Sequence, residues 1–332
     1  MNERRRDKVL GTVLGAAIGD AMGHPTEFLG SLEAIRAKYG PRGVEGFALY
    51  WEPKLAGGAR FAPYTDDTQL AEVVARALVE ARRRQEALEP TMKRIAAGIV
   101  SWAKEPLGGH RSPGGACLSG AAALARGVAW NEAGGETAGG CGSVMRAYPF
   151  GLVFAGDVAR AEAWCVAHSR LTHRDPIALA GCAAMAVGVA LAINDADVST
   201  ILDAMEAAAA RHCTTTAAMI ARAVEEARDG VSPEVTLDRL RGWAAHEAIA
   251  AAAYVFARHP DDARAAILEG ANTPGDSDSI ATIAGALVGA RVGASGLPAS
   301  WIHDVERTGE LATLALAMGE APWEPAEAHD RA

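Results

Sequence analysis

The chain has 332 residues, half of them hydrophobic, and carries 41 acidic against 32 basic side chains for a formal net charge of −9. That composition excludes global disorder and weighs against a nucleic-acid partner, whose phosphates are gripped by clustered Lys and Arg. Five cysteines, odd in number and never in a CxxC pair, fit reduced thiols in the cytoplasm rather than a disulfide frame or a zinc knuckle.

Only 5% of the residues are aromatic and 36 are glycine, a supply of small side chains that favours closely packed helices over sandwiches. At the N-terminus Arg4, Arg5, Arg6 and Lys8 precede an apolar stretch that superficially resembles a signal peptide. Its apolar positions Val9, Leu10, Val13, Leu14, Ala17, Ile18 and Ala21 recur at helical spacing, so an amphipathic helix closed by Asp20 is expected. Val44 to Tyr50 is a weak strand candidate. A helix begins near Thr65-Asp66, and Met92, Ile95, Ile99 and Trp102 mark the next; the cluster Arg82-Arg83-Arg84 reads as a solvated helix face. Further helices are expected over 115–127, 157–169, 176–193, 197–211, 216–229, 233–244, 246–258, 261–271, 279–292 and 299–318, with starts signed by Asp157, Asp197 and Ser232-Pro233 and stops by Gly127 and Gly230. The uncharged run from Pro176 to Asn194 is long enough to span a bilayer, but its Ala and Gly content points to a helix buried in a core, and no membrane association is expected. No linker or fixed repeat divides the chain. The expectation is an all-α, compact single-domain helical bundle over 1–319, with a frayed tail over 320–332.

Polar residues interrupt this scaffold at a few places. Gly19-Asp20-Ala21-Met22-Gly23-His24-Pro25-Thr26-Glu27-Phe28 alone reads as a helix end and turn, and Tyr64-Thr65-Asp66-Asp67-Thr68 as ordinary capping of a helix start. In Gly275-Asp276-Ser277-Asp278-Ser279, two carboxylates two residues apart on an extended segment point to the same side. Adjacent carboxylates resist joint ionisation unless a cation lies between them, and Asp, Thr and Ser oxygens without Cys or His suit Mg²⁺ or Mn²⁺. An EF-hand is excluded because its third acidic position falls on Ile280, and a zincin because Ala250 stands where its second His belongs. Two glycine runs, 108–115 and 139–146, each precede a helix, where backbone amides cradle phosphate or simply turn. Within the second, Met145 reads as core packing and Arg146 as a site residue or a structural ion pair. His173 reads as a packing histidine near a helix boundary.

In order, these segments resemble the ADP-ribosylglycohydrolase family. The matching residues are Gly15-Ala16-Ala17-Ile18-Gly19-Asp20-Ala21-Met22-Gly23 with Glu27, Tyr64-Thr65-Asp66-Asp67-Thr68, Gly140-Cys141-Gly142-Ser143-Val144-Met145-Arg146, Ser169 to His173, and Gly275-Asp276-Ser277-Asp278-Ser279. The resemblance implies a helical fold with a cleft for two divalent cations, Mg²⁺ or Mn²⁺, held by Thr65, Asp66, Asp67, Asp276, Asp278 and Ser279. It places Gly114, Gly115, Gly140, Cys141, Gly142, Ser143 and His173 at ADP-ribose, and Glu27, with Asp66 or Asp67 behind it, at the proton transfer. Cys141 stands where many relatives have Asn, and Ser279 where Thr is commoner.

The activity implied by the resemblance is that of a metal-dependent hydrolase cutting the glycosidic bond between ADP-ribose and a protein side chain, arginine first. The substrate is then an ADP-ribosylated protein, the product ADP-ribose, and the enzyme a monomer. Other ADP-ribosyl linkages (serine, O-acetyl-ADP-ribose, a nucleic-acid end), a non-catalytic binding or structural role, and immunity against an ADP-ribosylating toxin are the competing readings.

Overall fold

The computed structural model describes residues 1–48, 62–320 and 323. Among these, sixteen α-helices and no sheet make up the fold: α1 Glu3–Gly23, α2 Leu32–Tyr39, α3 Asp66–Arg83, α4 Leu88–Lys104, α5 Gly115–Ala125, α6 Tyr148–Val153, α7 Val158–Ser169, α8 Pro176–Ile193, α9 Val198–Ala210, α10 Thr214–Arg228, α11 Pro233–Arg239, α12 Ala245–Arg258, α13 Ala263–Ala271, α14 Ser277–Val292, α15 Ala299–Asp304 and α16 Thr308–Met318. Their starts follow side-chain capping: Asn2 accepts from the Arg5 amide, Thr65 from Asp67, Asp157 from Arg160, Asp175 from Ile177 and Asp262 from Ala265. In α8, all residues but Pro176, Ile177 and Leu191 are buried, and α6, α7, α9, α12 and α14 pack around it.

The site depends on one helix pair. Gly11, Gly15, Gly19 and Gly23 recur every four residues on one face of α1. A Cβ on Gly15 would lie 2.3 Å from the Gly285 carbonyl oxygen, and one on Gly289 would lie 2.0 Å from that of Gly11. Likewise a Cβ on Gly19 would come within 2.1 Å of the Ala281 oxygen, and one on Gly23 within 2.4 Å of that of Ser277. α1 and α14 therefore run antiparallel, backbone against backbone, with no side chain between them along this seam. The end of α1 is thereby fixed beside the start of α14. Thr26 and Ser277 complete the junction: the Thr26 hydroxyl lies 2.9 Å from that of Ser277, which donates to the Gly23 carbonyl at 3.0 Å.

Several expectations change. α1 is not amphipathic beyond its first turns, because every residue from Gly11 to Gly23 is buried. The expected 299–318 helix is two, α15 and α16: Val305 pairs with Ala62 in an isolated bridge, the Ala62 amide donates to the Asp304 carbonyl, and Arg307 turns left-handed at φ 54°. The expected 233–244 helix stops at Arg239, ahead of Gly242 at φ 83°. Residues 44–48 form no strand, and Leu49 and Tyr50 lie outside the described residues. Arg82 does not join a solvated face; it is buried and donates to the carbonyls of Ala317 and Met318 in the last turn of α16 and of Glu320 just beyond it. Of the tail expected to fray, Trp323 is buried against Phe154 and Trp164, and 321–322 and 324–332 lie outside the described residues.

Candidate active site

Burying a carboxylate is costly without partners, so a group of them in one place marks a site with a purpose. Asp20, at the end of α1, is fully buried and accepts from the Thr65 amide at 2.9 Å, the Thr65 hydroxyl at 2.8 Å, the Thr68 amide at 2.9 Å and the Thr68 hydroxyl at 2.6 Å. It thus pins the start of α3 to the α1–α14 seam. Asp66 and Asp67 occupy the first turn of α3 and face Asp276 and Asp278 at the start of α14; the Ser279 hydroxyl donates across the gap to Asp67 Oδ2 at 3.0 Å. Asp276 and Asp278 converge, but not by alternation along an extended segment. Asp276 is the residue before α14 and Asp278 lies in its first turn, so the helix start itself brings them together.

Glu27 closes the cluster from the short 3₁₀ turn His24–Thr26. Its Oε2 lies 3.3 Å from His24 Nδ1, which is 3.9 Å from Asp278 Oδ2. These three side chains group tightly enough to hold a metal ion. Burial, then the charges of Asp278, Asp276, Asp66 and Asp20, push the Glu27 carboxyl up to about 12. Burial followed by Asp278 raises Asp66, Asp67 and Asp276 well above the usual carboxylate range, and Asp20 to about 6 despite its four hydrogen bonds. Asp278 goes the other way: burial pushes its carboxyl up, but hydrogen bonding to His24 and the His24 charge bring it below the ordinary value. No Lys or Arg pairs with Asp66, Asp67, Asp276 or Asp278 among the described residues.

These carboxylates line one side of a cleft of about 500 Å³, within the range of small-molecule sites. The rest of its lining is Ser112 to Cys117, Gly140 to Gly142, Met145 and His173, with Cys141 and Met145 adjoining the acidic group. Gly114 precedes α5 without any side-chain cap, and the amides of its first turn have no acceptor within the helix, so a partial positive charge faces the cleft. His173 is 1% exposed and is depressed to about 3 by burial and by Arg146, which makes it a neutral imidazole at physiological pH. At the mouth, exposed Phe28 and Trp243 stack with ring centroids 6.0 Å apart. A larger groove of about 810 Å³ lies between α3 and α16, but its charges are paired with neighbours, Arg83 with Glu80 and Arg307 with Glu310, and converge on nothing.

Of the residues singled out in the sequence, Glu27, Asp66, Asp67, Asp276, Asp278, Ser279, Gly114, Gly115, Gly140, Cys141, Gly142 and His173 border this cleft. Two do not. Thr65 lies behind the carboxylates, its hydroxyl held between Asp20 and the Asp67 amide, and Ser143 is buried behind the glycine loop, in contact with Ser169 and Cys182. Cys141 turns its thiol to the acidic side, donating to Asp276 Oδ2 at 2.7 Å and lying 3.4 Å from Ser279 Oγ. Arg146 forms no ion pair among the described residues. Asp20, His24, Phe28, Cys117 and Trp243 belong to the site or its support, and sequence reasoning does not assign them to it. For Asp20 a signal exists, a carboxylate inside an otherwise apolar helical run; for Trp243 there is none beyond a lone aromatic before a helix.

The family model of ADP-ribosylglycohydrolases matches residues 1–326. The chain belongs to the ADP-ribosylglycohydrolase family. Its members are hydrolases, and relatives within it match this chain over most of their length. The ADP-ribosylarginine hydrolase Tri1 of Pseudomonas putida is 29% identical, over 95% of this chain and 79% of that protein. The ADP-ribosyl-[dinitrogen reductase] glycohydrolase of Rhodospirillum rubrum is 25% identical over 90% of each chain. A solved structure described as an ADP-ribosylglycohydrolase-related protein complex superposes with a TM-score of 0.70 at 25% identity, covering 96% of this chain and 99% of the other. This ADP-ribosylglycohydrolase thus carries the family's all-α architecture.

Proposed function

We propose that this chain hydrolyses the bond between ADP-ribose and a modified protein side chain, with ADP-ribosyl-arginine as the substrate and ADP-ribose as a product. One observation carries the reading. Carboxylates from three distant segments, around Glu27, Asp66-Asp67 and Asp276-Asp278, meet along one side of a cleft whose other side offers helix amides, a glycine loop and a neutral histidine. The first side suits cations and the second suits a diphosphate. The name of the Pseudomonas putida relative supports arginine as the linked residue.

The donor chemistry fits hard divalent cations, because four buried carboxylates lack a Lys or Arg partner among the described residues and share the site with hydroxyl oxygens. Asp66, Asp67, Asp276, Asp278 and Ser279, with Thr65 behind them, would hold two such ions, Mg²⁺ or Mn²⁺, whose chemistry is to polarise sugar oxygens and make a bound water acidic. The chain's own residues do the rest. Asp20 fixes the start of α3 so that Asp66 and Asp67 hold their places. Glu27, whose carboxyl keeps a proton near neutrality in the cation-free site, is the group that gives or takes one at the reacting bond. Gly114, Gly115, Gly140 and Gly142 let backbone approach the diphosphate without side chains in the way. Phe28 and Trp243 shield the mouth from water. The working unit is a monomer in a reducing compartment, which the five free thiols favour.

Peptides bearing ADP-ribosyl-arginine and ADP-ribosyl-serine, incubated with the protein in Mg²⁺ or Mn²⁺ and in EDTA, test this. Release of ADP-ribose from the arginine peptide, lost in EDTA, is expected. Equal release in EDTA, or release from the serine peptide alone, overturns it.

A further inference from the structure

Arg146 is the largest wholly buried side chain among the described residues, and its guanidinium meets no carboxylate of theirs within 4.0 Å. Its acceptors are all neutral: Nε donates to His168 Nε2 at 3.1 Å, Nη1 to Cys117 Sγ at 3.3 Å, and Nη2 to Thr172 Oγ1 at 2.6 Å. A buried cation without a counter-ion is costly, and its surroundings must use the charge or the donors.

Hydrogen-bond donors and acceptors decide how. Arginine only donates, so His168 Nε2 accepts, and His168 carries its proton on Nδ1, which lies 3.0 Å from the Cys165 carbonyl. Thr172 Oγ1 accepts from Arg146 and lies 2.7 Å from His173 Nδ1. Were Nδ1 to carry the proton and donate to Thr172, the hydroxyl hydrogen would find no other acceptor among the described residues, in a side chain that is fully buried. The arrangement that leaves nothing unmet has Thr172 donating to Nδ1. The proton of His173 is then on Nε2. That edge of the ring sits at the glycine loop, where a Cβ on Gly142 would come within 3.1 Å of His173 Cε1 and one on Gly140 within 3.7 Å of Nε2. Nε2 has no hydrogen-bond partner among the described residues and His173 lines the cleft.

We propose that Arg146 and Thr172 are positioning residues that lock His173 as the Nε2–H tautomer, a neutral donor aimed into the cleft, with the uncompensated Arg146 charge behind it favouring an anionic ligand. One guanidinium thus sets two histidines to opposite tautomers, His168 protonated on Nδ1 and His173 on Nε2. The anion in question is the diphosphate of ADP-ribose, so the ligand, though not the tautomer, rests on the function proposed above.

The test pairs a spectroscopic readout with binding. In ¹⁵N-histidine-labelled protein, His173 should show a protonated Nε2 and an acceptor-type Nδ1. Thr172→Val, similar in size but without the hydroxyl, should mix the tautomers and weaken ADP-ribose binding in calorimetry about tenfold, the scale of one lost hydrogen bond to a charged group. Thr172→Ser should restore both. Arg146→Met should weaken ADP-ribose further where it folds, and the Thr172 pair decides the matter where it does not. A wild-type His173 protonated on Nδ1, or a Thr172→Val protein with unchanged tautomer and affinity, overturns the lock. Wild-type protein with the Nε2–H tautomer but no ADP-ribose binding overturns instead the functional reading and the anion role built on it.

Discussion

The two sides of the cleft resolve buried charge in opposite ways. On one, Asp20, Glu27, Asp66, Asp67, Asp276 and Asp278 crowd together with no Lys or Arg paired to them among the described residues, and most are forced towards protonation by burial and by one another. On the other, a single guanidinium is surrounded by hydroxyl, thiol and imidazole groups. Neither side is electrostatically complete alone, and each lacks what the other has in excess. Yet Arg146 does not neutralise the acids: its effect on Asp66 is minor beside burial and Asp278. The charges are kept apart, so that each half remains available to a ligand of the opposite sign. A salt bridge between the halves would have satisfied both and left a site with nothing to bind.

Variants should separate the halves. The largest effect is expected from Asp67→Ala and Asp278→Ala, which should lower the release of ADP-ribose from a modified peptide about 10³-fold or more, the scale of losing a key electrostatic stabiliser, while far-ultraviolet circular dichroism stays helical. Next comes the seam that carries the acidic half. Gly15→Ala drives a Cβ to 2.3 Å from the Gly285 oxygen and should cost about 3 kcal/mol in a denaturant titration, whereas Gly156→Ala, with open space around it, should cost well under 1 kcal/mol. Both halves of the pair matter, since a global loss at position 15 would otherwise say little about the contact.

The acids also set a pH signature. Asp278 apart, their folded-state pKa values are raised above the unfolded values of 3.8 and 4.5, so these acids bind more protons in the folded chain than in the unfolded one and the stability they contribute falls as pH rises above about 4. In EDTA the melting temperature should drop between about pH 6.5 and pH 8, where the depressed His168 and His173 no longer oppose the trend, at about 1–2 °C per kcal/mol for a chain of this size. Saturating Mg²⁺ or Mn²⁺ should raise the curve and flatten it; a curve that rises over that range in EDTA contradicts the assignment. The smallest effect belongs to the other half. Gly142→Ala puts a Cβ 2.7 Å from Cys117 Sγ and 3.1 Å from His173 Cε1, and should weaken ADP-ribose binding by about threefold to tenfold while leaving cation affinity unchanged, as calorimetry with each ligand would record.

Helices with one clear period or one clear cap are legible from sequence, α3 and α8 among them, because local pattern and buried face agree. What local pattern misses is decided at a distance. Residues 299–318 carry helical spacing throughout, but pairing of Val305 with Ala62, far away in the chain, breaks the helix. α1 reads as amphipathic when only its large side chains are counted; its glycine face, which carries a family motif, is the more buried contact. In the site, carboxylates are legible by their sheer improbability in an apolar chain. Thr65 and Ser143 carry the right groups but point behind the cleft, which sequence spacing does not encode. The role of Arg146 is least visible, since a buried guanidinium with neutral partners looks, in sequence, like any other arginine.

The glycine seam also bears on how the protein is made. The face of α1 bearing Gly11, Gly15, Gly19 and Gly23 is completed only by α14, and α2 to α13 are all translated in between. A nascent chain must therefore carry an apolar, Ala- and Gly-rich helix with no final partner through most of its synthesis, and contacts of such sequence separation close late. Until α14 arrives, Asp276 and Asp278 are missing as well. The proposed cation site would then become competent in the same step that buries the first helix, so an immature chain would have no complete acidic cluster with which to capture a cation.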